Sequence, residues 1–308
     1  MTARRIVSLL PSATEILFAI GAGDSVMGVT HECDFPRDAR TRVALTSALL
    51  PSDAVSAGAI DRHVRASIHS GSSLYALDAQ RLAQLEPDLI VTQELCAVCA
   101  VSYEIVERAA KRLRGDPHVI SLEPSSLDDV YATIRFLGEL TGHDRGAAEV
   151  VAGLRAREMV LRNTPRETKP RALILEWTDP PMSGGHWTPG LVELAGGIPL
   201  LAHPGANSQT LEWAAIAHAD PDVIIVVPCG FDLAHAQTAV DELTGNATWN
   251  ALRAKTSGHA YVMDGNAYVN RPGPRLIDSA DRFAWAFDDA AGLITRSPTP
   301  SGIRAISA

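Results

Sequence analysis

Two kinds of apolar pattern alternate along the chain. Short uninterrupted runs occur at Arg5–Leu10, Val26–Thr30, Leu89–Val91 and His118–Leu122, and later at Ala172–Glu176, Val223–Val227 and Tyr261–Met263. Runs of this length, bounded by Gly, Pro and polar clusters, predict strands buried on both faces of a parallel sheet. Between them apolar positions recur every three or four residues, which predicts helices. The first spans Thr14–Ile20, opened by a Ser12–Glu15 capping box and closed by Gly21 and Gly23. Others cover Leu77–Leu85, a stretch ending near Arg114, and Gly190–Ala195. A polar segment from Ser47 to Ser73 has weak periodicity and reads as an excursion from the core.

Pro124 and Ser125 open a longer tract to about Asn163, in which Ile134, Leu137, Leu140, Val150, Val151 and Leu154 keep helical spacing. Gly142 interrupts it, which leaves one helix or two. The predicted fold class is therefore α/β, with two Rossmann-like lobes of parallel sheet joined by a long backbone helix. The expected divisions are 1–123 for the first lobe, 124–164 for the connecting helix and 165–308 for the second lobe.

The two lobes echo each other. Leu85-Glu86-Pro87-Asp88-Leu89-Ile90-Val91-Thr92-Gln93 is matched by Ala219-Asp220-Pro221-Asp222-Val223-Ile224-Ile225-Val226-Val227-Pro228-Cys229. In both a helix ends at Pro-Asp, a buried strand follows, and a cysteine lies just beyond, which favours an internal duplication. Open α/β sheets bind ligands outside the carboxyl ends of their strands. Cys33, Cys96, Cys99 and Cys229 all fall in such strand-end loops, so a cleft between the lobes is expected to carry all four.

Size and charge narrow the partners. The chain has 308 residues, enough for two domains, and a net charge of −9 with no Lys/Arg cluster, so no nucleic-acid partner is expected. No apolar stretch approaches the ~20 residues of a membrane span, and no membrane partner is expected. Arg4-Arg5 ahead of an apolar run resembles the opening of a secretory signal, but Pro11-Ser12 and Glu15 break it. The expected location is cytoplasmic, where thiols serve as ligands or reactive groups more often than as disulfides.

Four thiolates suit tetrahedral zinc or an iron–sulfur cluster. Cys96-x-x-Cys99 also fits a redox dithiol. His31, two residues before Cys33, is a further metal-ligand candidate. Glu94 and Glu176 end buried strands, where a carboxylate is costly unless paired; either has a function or makes an ordinary salt bridge to Arg271 or Arg275. The segment 182–190 (Met-Ser-Gly-Gly-His-Trp-Thr-Pro-Gly) lacks a Walker ending, so it gives only weak support for nucleotide binding. His186 and Trp187 are expected to line the cleft, and Arg271 to reach a ligand carboxylate or phosphate. Trp187 has a plain alternative as a core side chain. No hydrolytic constellation is visible, so binding is expected rather than catalysis.

The run Ile6-Val7-Ser8-Leu9-Leu10-Pro11-Ser12-Ala13-Thr14-Glu15 followed by Gly21, the Pro-Asp-Leu-Ile run and the Gly190–Gly197 helix end resemble the vitamin B12-binding substrate-binding proteins of ABC importers. These have the helical-backbone, type III periplasmic-binding-protein fold. The resemblance covers roughly residues 4–288. It implies cobalamin or another metal chelate held between the lobes by aromatic side chains, here Trp177, Trp187 and Tyr268. Gln80 and Ala214 stand where that family carries permease-docking glutamates, so permease docking is not expected. The reading is a non-catalytic cytoplasmic binder of cobalamin or another metal-containing ligand. The alternatives are an iron–sulfur protein with its cluster on the four cysteines and a redox or electron-transfer role, and a structural zinc protein.

Overall fold

Ile6, Val7 and Ser8 are fully shielded from solvent, and this unbroken burial makes them a central strand rather than an edge one. The computed structural model describes residues 2–50, 56–69, 74–93, 103–113, 115–294 and 298–307. The chain forms two compact units. The first comprises Met1–Val55, Arg62–Pro124 and Asp128–Leu154, and the second Ser56–Asp61, Ser125–Leu127 and Arg155–Ala308.

From the N-terminus the elements are β1 (Ile6–Ser8), α1 (Pro11–Ala19), β2 (Val26–Val29), β3 (Val43–Ala44), β4 (Thr46–Ala48) and α2 (Ala57–His69). There follow β5 (Tyr75–Leu77), α3 (Ala79–Leu85), β6 (Leu89–Thr92), α4 (Tyr103–Ala110) and β7 (His118–Ser121). The parallel sheet of the first unit has the order β3-β2-β1-β6-β7, and β4 and β5 make a separate antiparallel pair. Val7, Leu9, Leu45, Leu82, Ile90 and Val106 form its core.

The start of the first helix differs from the sequence reading. The helix α1 starts at Pro11, with Leu10 as an extended N-cap and no side-chain cap, so Ser12 and Glu15 form no capping box. Proline has no N–H to satisfy in a first turn, and the chain enters the helix three residues earlier than expected. Ser12 and Glu15 are each 2% exposed, turned into packed structure. Within the segment expected as an excursion, the described residues include α2 and part of β4, and β4 pairs with β5 outside the five-stranded sheet.

The connecting tract is two helices, α5 (Leu127–Thr141) and α6 (Asp144–Asn163). They part at Gly142, whose φ of +71° needs a residue without a Cβ. α6 carries the chain into the second unit.

That unit contains β8 (Arg171–Thr178), β9 (Pro181–Ser183), α7 (Thr188–Leu194), β10 (Ile198–Pro199), α8 (Trp213–Ala219) and β11 (Val223–Val226). It continues with α9 (Leu233–Glu242), α10 (Ala247–Ala251), α11 (Arg253–Thr256), β12 (Ala260–Met263), α12 (Leu276–Ala290) and β13 (Ile303–Ala305). The order is β10-β8-β11-β12-β13, parallel except for β13 at the edge and β9, which folds back on β8. Leu173, Leu175, Ile224, Val226, Val262 and the fully buried Trp249 centre the core.

The sequence echo is structural. α3 and α8 both end on left-handed residues, Glu86 (φ 43°, ψ 57°) and Asp220 (φ 42°, ψ 68°). The aspartate after each following proline then reaches the start of the neighbouring strand. Asp88 accepts from the backbone N–H groups of Arg4 (2.9 Å) and Arg5 (3.1 Å), and Asp222 from that of Arg171 (2.8 Å). Each carboxylate thus closes the open end of its unit's central strand pair, β1–β6 or β8–β11.

Burial pushes the Asp222 carboxyl up, but the Arg171 N–H and the Arg253 guanidinium outweigh it and hold the group below its ordinary 3.8. A depressed folded value means this stabilisation is present above pH 3.8 and is lost as pH falls through the folded pKa. Asp222→Asn is expected to cost about 1 kcal/mol at pH 7, modest because solvent screens the part-exposed group, and to flatten the acid limb. Urea unfolding at pH 7 and at pH 3 checks both.

Candidate functional site

Within each sheet the chain leaves the first strand in opposite directions. β1 has β2 on one side and β6 on the other, and β8 has β10 and β11. The carboxyl ends of β1/β6 and β8/β11 are therefore the topological switch points, where loops diverge and leave room for a ligand.

In the second unit, Glu176 on β8 and Cys229 after β11 meet at that point, the Cys229 N–H donating to the Glu176 carbonyl (3.1 Å). The Glu176 carboxylate has hydroxyl partners, where the plain sequence reading expected an arginine. Thr188 Oγ1 donates to Oε1 (2.8 Å) and Ser208 Oγ to Oε2 (2.7 Å). Burial pushes this carboxyl above its ordinary range, while the two hydroxyls and the Gly185 N–H pull it back. One carboxylate thereby ties the end of β8 to the first turn of α7 and to the segment around Ser208. The glycine-rich loop is shaped for this approach: a Cβ on Gly185 would lie 2.4 Å from the Ser208 nitrogen.

His186 follows in the left-handed region (φ 51°), half-buried, its imidazole pKa lowered by desolvation. Its ring stacks on Trp187 at 5.5 Å. Trp187 is 8% exposed, and its Nε1–H donates to the Val269 carbonyl (2.6 Å). Val269 has φ 34°, a strained value for a β-branched residue, and Ser279 Oγ accepts its N–H (2.9 Å). Trp187 therefore pins a strained loop.

Trp177 lies half-buried at the end of β8, its Nε1–H donating to the Asp179 carbonyl (3.1 Å). Phe231 packs edge-on against it at 5.3 Å, and His235 lies 6.1 Å beyond Phe231. Sequence reasoning passed over Phe231 although it stands two residues after Cys229, in the same strand-end loop. Tyr268 is clamped: Arg282 donates to its hydroxyl (2.6 Å) and lies over its ring at 3.7 Å. Arg271 is 6% exposed and donates to Asn266 Oδ1 (3.1 Å). Burial, with Asp232 nearby, raises the Asp264 carboxyl, opposed by the Ala267 N–H and by Arg275 and Arg271.

In the first unit Cys33 is 3% exposed, with Sγ 3.1 Å from both Thr14 Oγ1 and Thr30 Oγ1. Thr14 also donates to Ser8 Oγ (2.8 Å). The exposed His31 directs Nδ1 at Thr46 Oγ1 (2.7 Å) and its ring at Tyr75. Neither Cys33 nor Cys229 is part of a disulfide. Glu94, Cys96 and Cys99 lie outside the described residues. Among the described residues, no group of three or more His, Cys, Asp or Glu is placed to hold a metal ion.

A family model described as periplasmic binding protein matches residues 6–267. This chain belongs to that family. Members of the family similar to it include a vitamin B12-binding protein of Vibrio cholerae, 22% identical over 91% of this chain and 87% of its own length. An uncharacterized ABC transporter substrate-binding lipoprotein of Bacillus subtilis is 24% identical over 91% of this chain and 79% of its own. Among solved structures, a periplasmic heme-binding protein from a Roseiflexus species superposes with a TM-score of 0.70 at 22% identity, covering 94% of this chain and 99% of that one. That likeness establishes the type III periplasmic-binding-protein fold. The expectation that this chain would not dock onto a permease runs against the role its ABC-transporter relative is named for.

Glu176 gives a stability prediction. Its folded pKa is raised, so the cost of holding it ionised is absent below 4.5 and grows as pH rises through the folded value. Glu176→Gln is expected to flatten this slope between pH 5 and 8. Glu176→Ala leaves the buried Thr188 hydroxyl and the half-buried Ser208 hydroxyl without their acceptor and is expected to cost about 2 kcal/mol. Denaturant midpoints at both pH values separate the two variants.

Proposed function

We propose that this chain is a non-catalytic substrate-binding protein whose ligand is a metal chelate, a corrinoid or a haem. The observation that carries the reading is the Trp177–Phe231 pair, half-buried side chains at 5.3 Å beside the β8/β11 switch point. An edge-on aromatic pair offers an apolar rim to a large planar ring and costs little conformational entropy on binding. Family membership supports binding without turnover, and relatives named for vitamin B12 and for heme support the chemical class. Delivery to a membrane permease belongs to the same reading, with the Bacillus lipoprotein as its support.

The iron–sulfur and zinc readings draw nothing from the described thiols. The Cys33 Sγ lies against two threonine hydroxyls, and the His31 ring is engaged by Thr46.

Purified protein is incubated with hemin and, separately, with aquocobalamin, desalted, and its absorption spectrum recorded. One coloured ligand is expected to remain at about one per chain. Trp177→Ala and Phe231→Ala are each expected to weaken its retention about 3- to 10-fold. Folded protein that keeps neither ligand, or that emerges from anaerobic purification carrying iron with acid-labile sulfide, refutes the proposal.

A further inference from the structure

We infer that His235 supplies an axial nitrogen to the metal of the bound chelate, with Asp232 as its positioning residue. This rests on the metal-chelate reading above. Asp232 is the N-cap of α9, and its Oδ1 accepts from the His235 backbone N–H at 2.9 Å. Any residue at 235 could serve that cap. The ring contact goes beyond it: His235 Nδ1 lies 2.8 Å from the same carboxylate oxygen. A carboxylate only accepts, so Nδ1 carries a ring proton, and in the neutral imidazole the lone pair resides on Nε2.

The His235 side chain is 73% exposed, and the hydrogen bonds within the described structure use only Nδ1. A carboxylate on the far nitrogen fixes the tautomer and strengthens Nε2 as a donor, the arrangement seen behind metal-bound histidines in general. The ring also extends the aromatic line: Trp177 to Phe231 at 5.3 Å, Phe231 to His235 at 6.1 Å, with interplanar angles of 62° and 60°. A macrocycle resting against Phe231 therefore finds an imidazole nitrogen next to its apolar support. Chelated iron or cobalt already has its equatorial donors, so a single protein nitrogen suffices. The step is a ligand exchange: the Nε2 lone pair replaces an axial water, with no change of oxidation state.

The probes are hemin and diaquocobinamide, a corrinoid whose two axial waters exchange freely. With the wild-type chain the visible bands of the retained probe are expected to move to nitrogen-ligated positions. His235→Ala is expected to retain the probe on Trp177 and Phe231, show the water-ligated spectrum, and regain the wild-type spectrum when imidazole is added. Asp232→Asn is expected to weaken nitrogen ligation about tenfold. If Asp232 served only as a cap, Asp232→Asn, whose amide oxygen caps as well as a carboxylate, would leave both the melting temperature and the spectra unmoved. A retained probe with identical spectra in wild type and His235→Ala overturns the proposal while the binding reading stands. A wild-type chain that retains neither probe overturns both.

Discussion

Each unit is organised around a pair of parallel strands buried on both faces, β1 with β6 and β8 with β11. Ile6, Val7, Ile90 and Val91 are fully buried in one, and Leu173, Leu175, Ile224 and Val226 in the other. Backbone in such a place must be hydrogen-bonded completely, so irregular chain is confined to the strand ends. One end is closed by the Pro-Asp junction, where Asp88 or Asp222 captures the first N–H groups of the adjacent strand. The other end is left to diverging loops, and the chemistry collects there.

The same scaffold carries different chemistry in its two copies. At the carboxyl ends of the first sheet, hydroxyls and a thiol interlock: Ser8, Thr14, Thr30 and Cys33. In the second, a buried carboxylate anchors the loops while aromatic rings line the edge. Glu176 is tolerated there because two hydroxyls and a backbone N–H replace the water it lost. The strain at Val269 persists because Trp187 and Ser279 hold both sides of its backbone. Held this rigidly, Trp187 acts as a support, and the proposed recognition surface is made of the half-buried Trp177 and Phe231 with the exposed His235.

This division bears on how a family built for capture can vary its ligand. Strand-end loops change composition without disturbing the buried pairs beneath them. On the proposed reading, a shelf of rings with one donor nitrogen at its edge suits a flat chelate, and Phe231 and His235 are positions that can change while the β8/β11 pair stays intact.

The parallel strands β1, β2, β6, β7, β8, β11 and β12, the repeated Pro-Asp unit and the break at Gly142 were legible in the sequence, because uninterrupted apolar runs and residues of special conformation act over a few neighbours. The strands β3, β4, β5, β9, β10 and β13 were not. The same local logic misplaced the start of α1, since Ser12 and Glu15 match a capping box whose geometry Pro11 pre-empts. The sequence also flagged Glu176 as a carboxylate needing a partner. It could not say that Thr188 and Ser208 would be that partner, 12 and 32 residues away. Nor could it show that Trp187 spends its N–H on Val269, 82 residues on, or that Arg282 covers Tyr268. Those outcomes depend on which loops the folded sheet brings to one edge, and residue type and spacing carry no record of that.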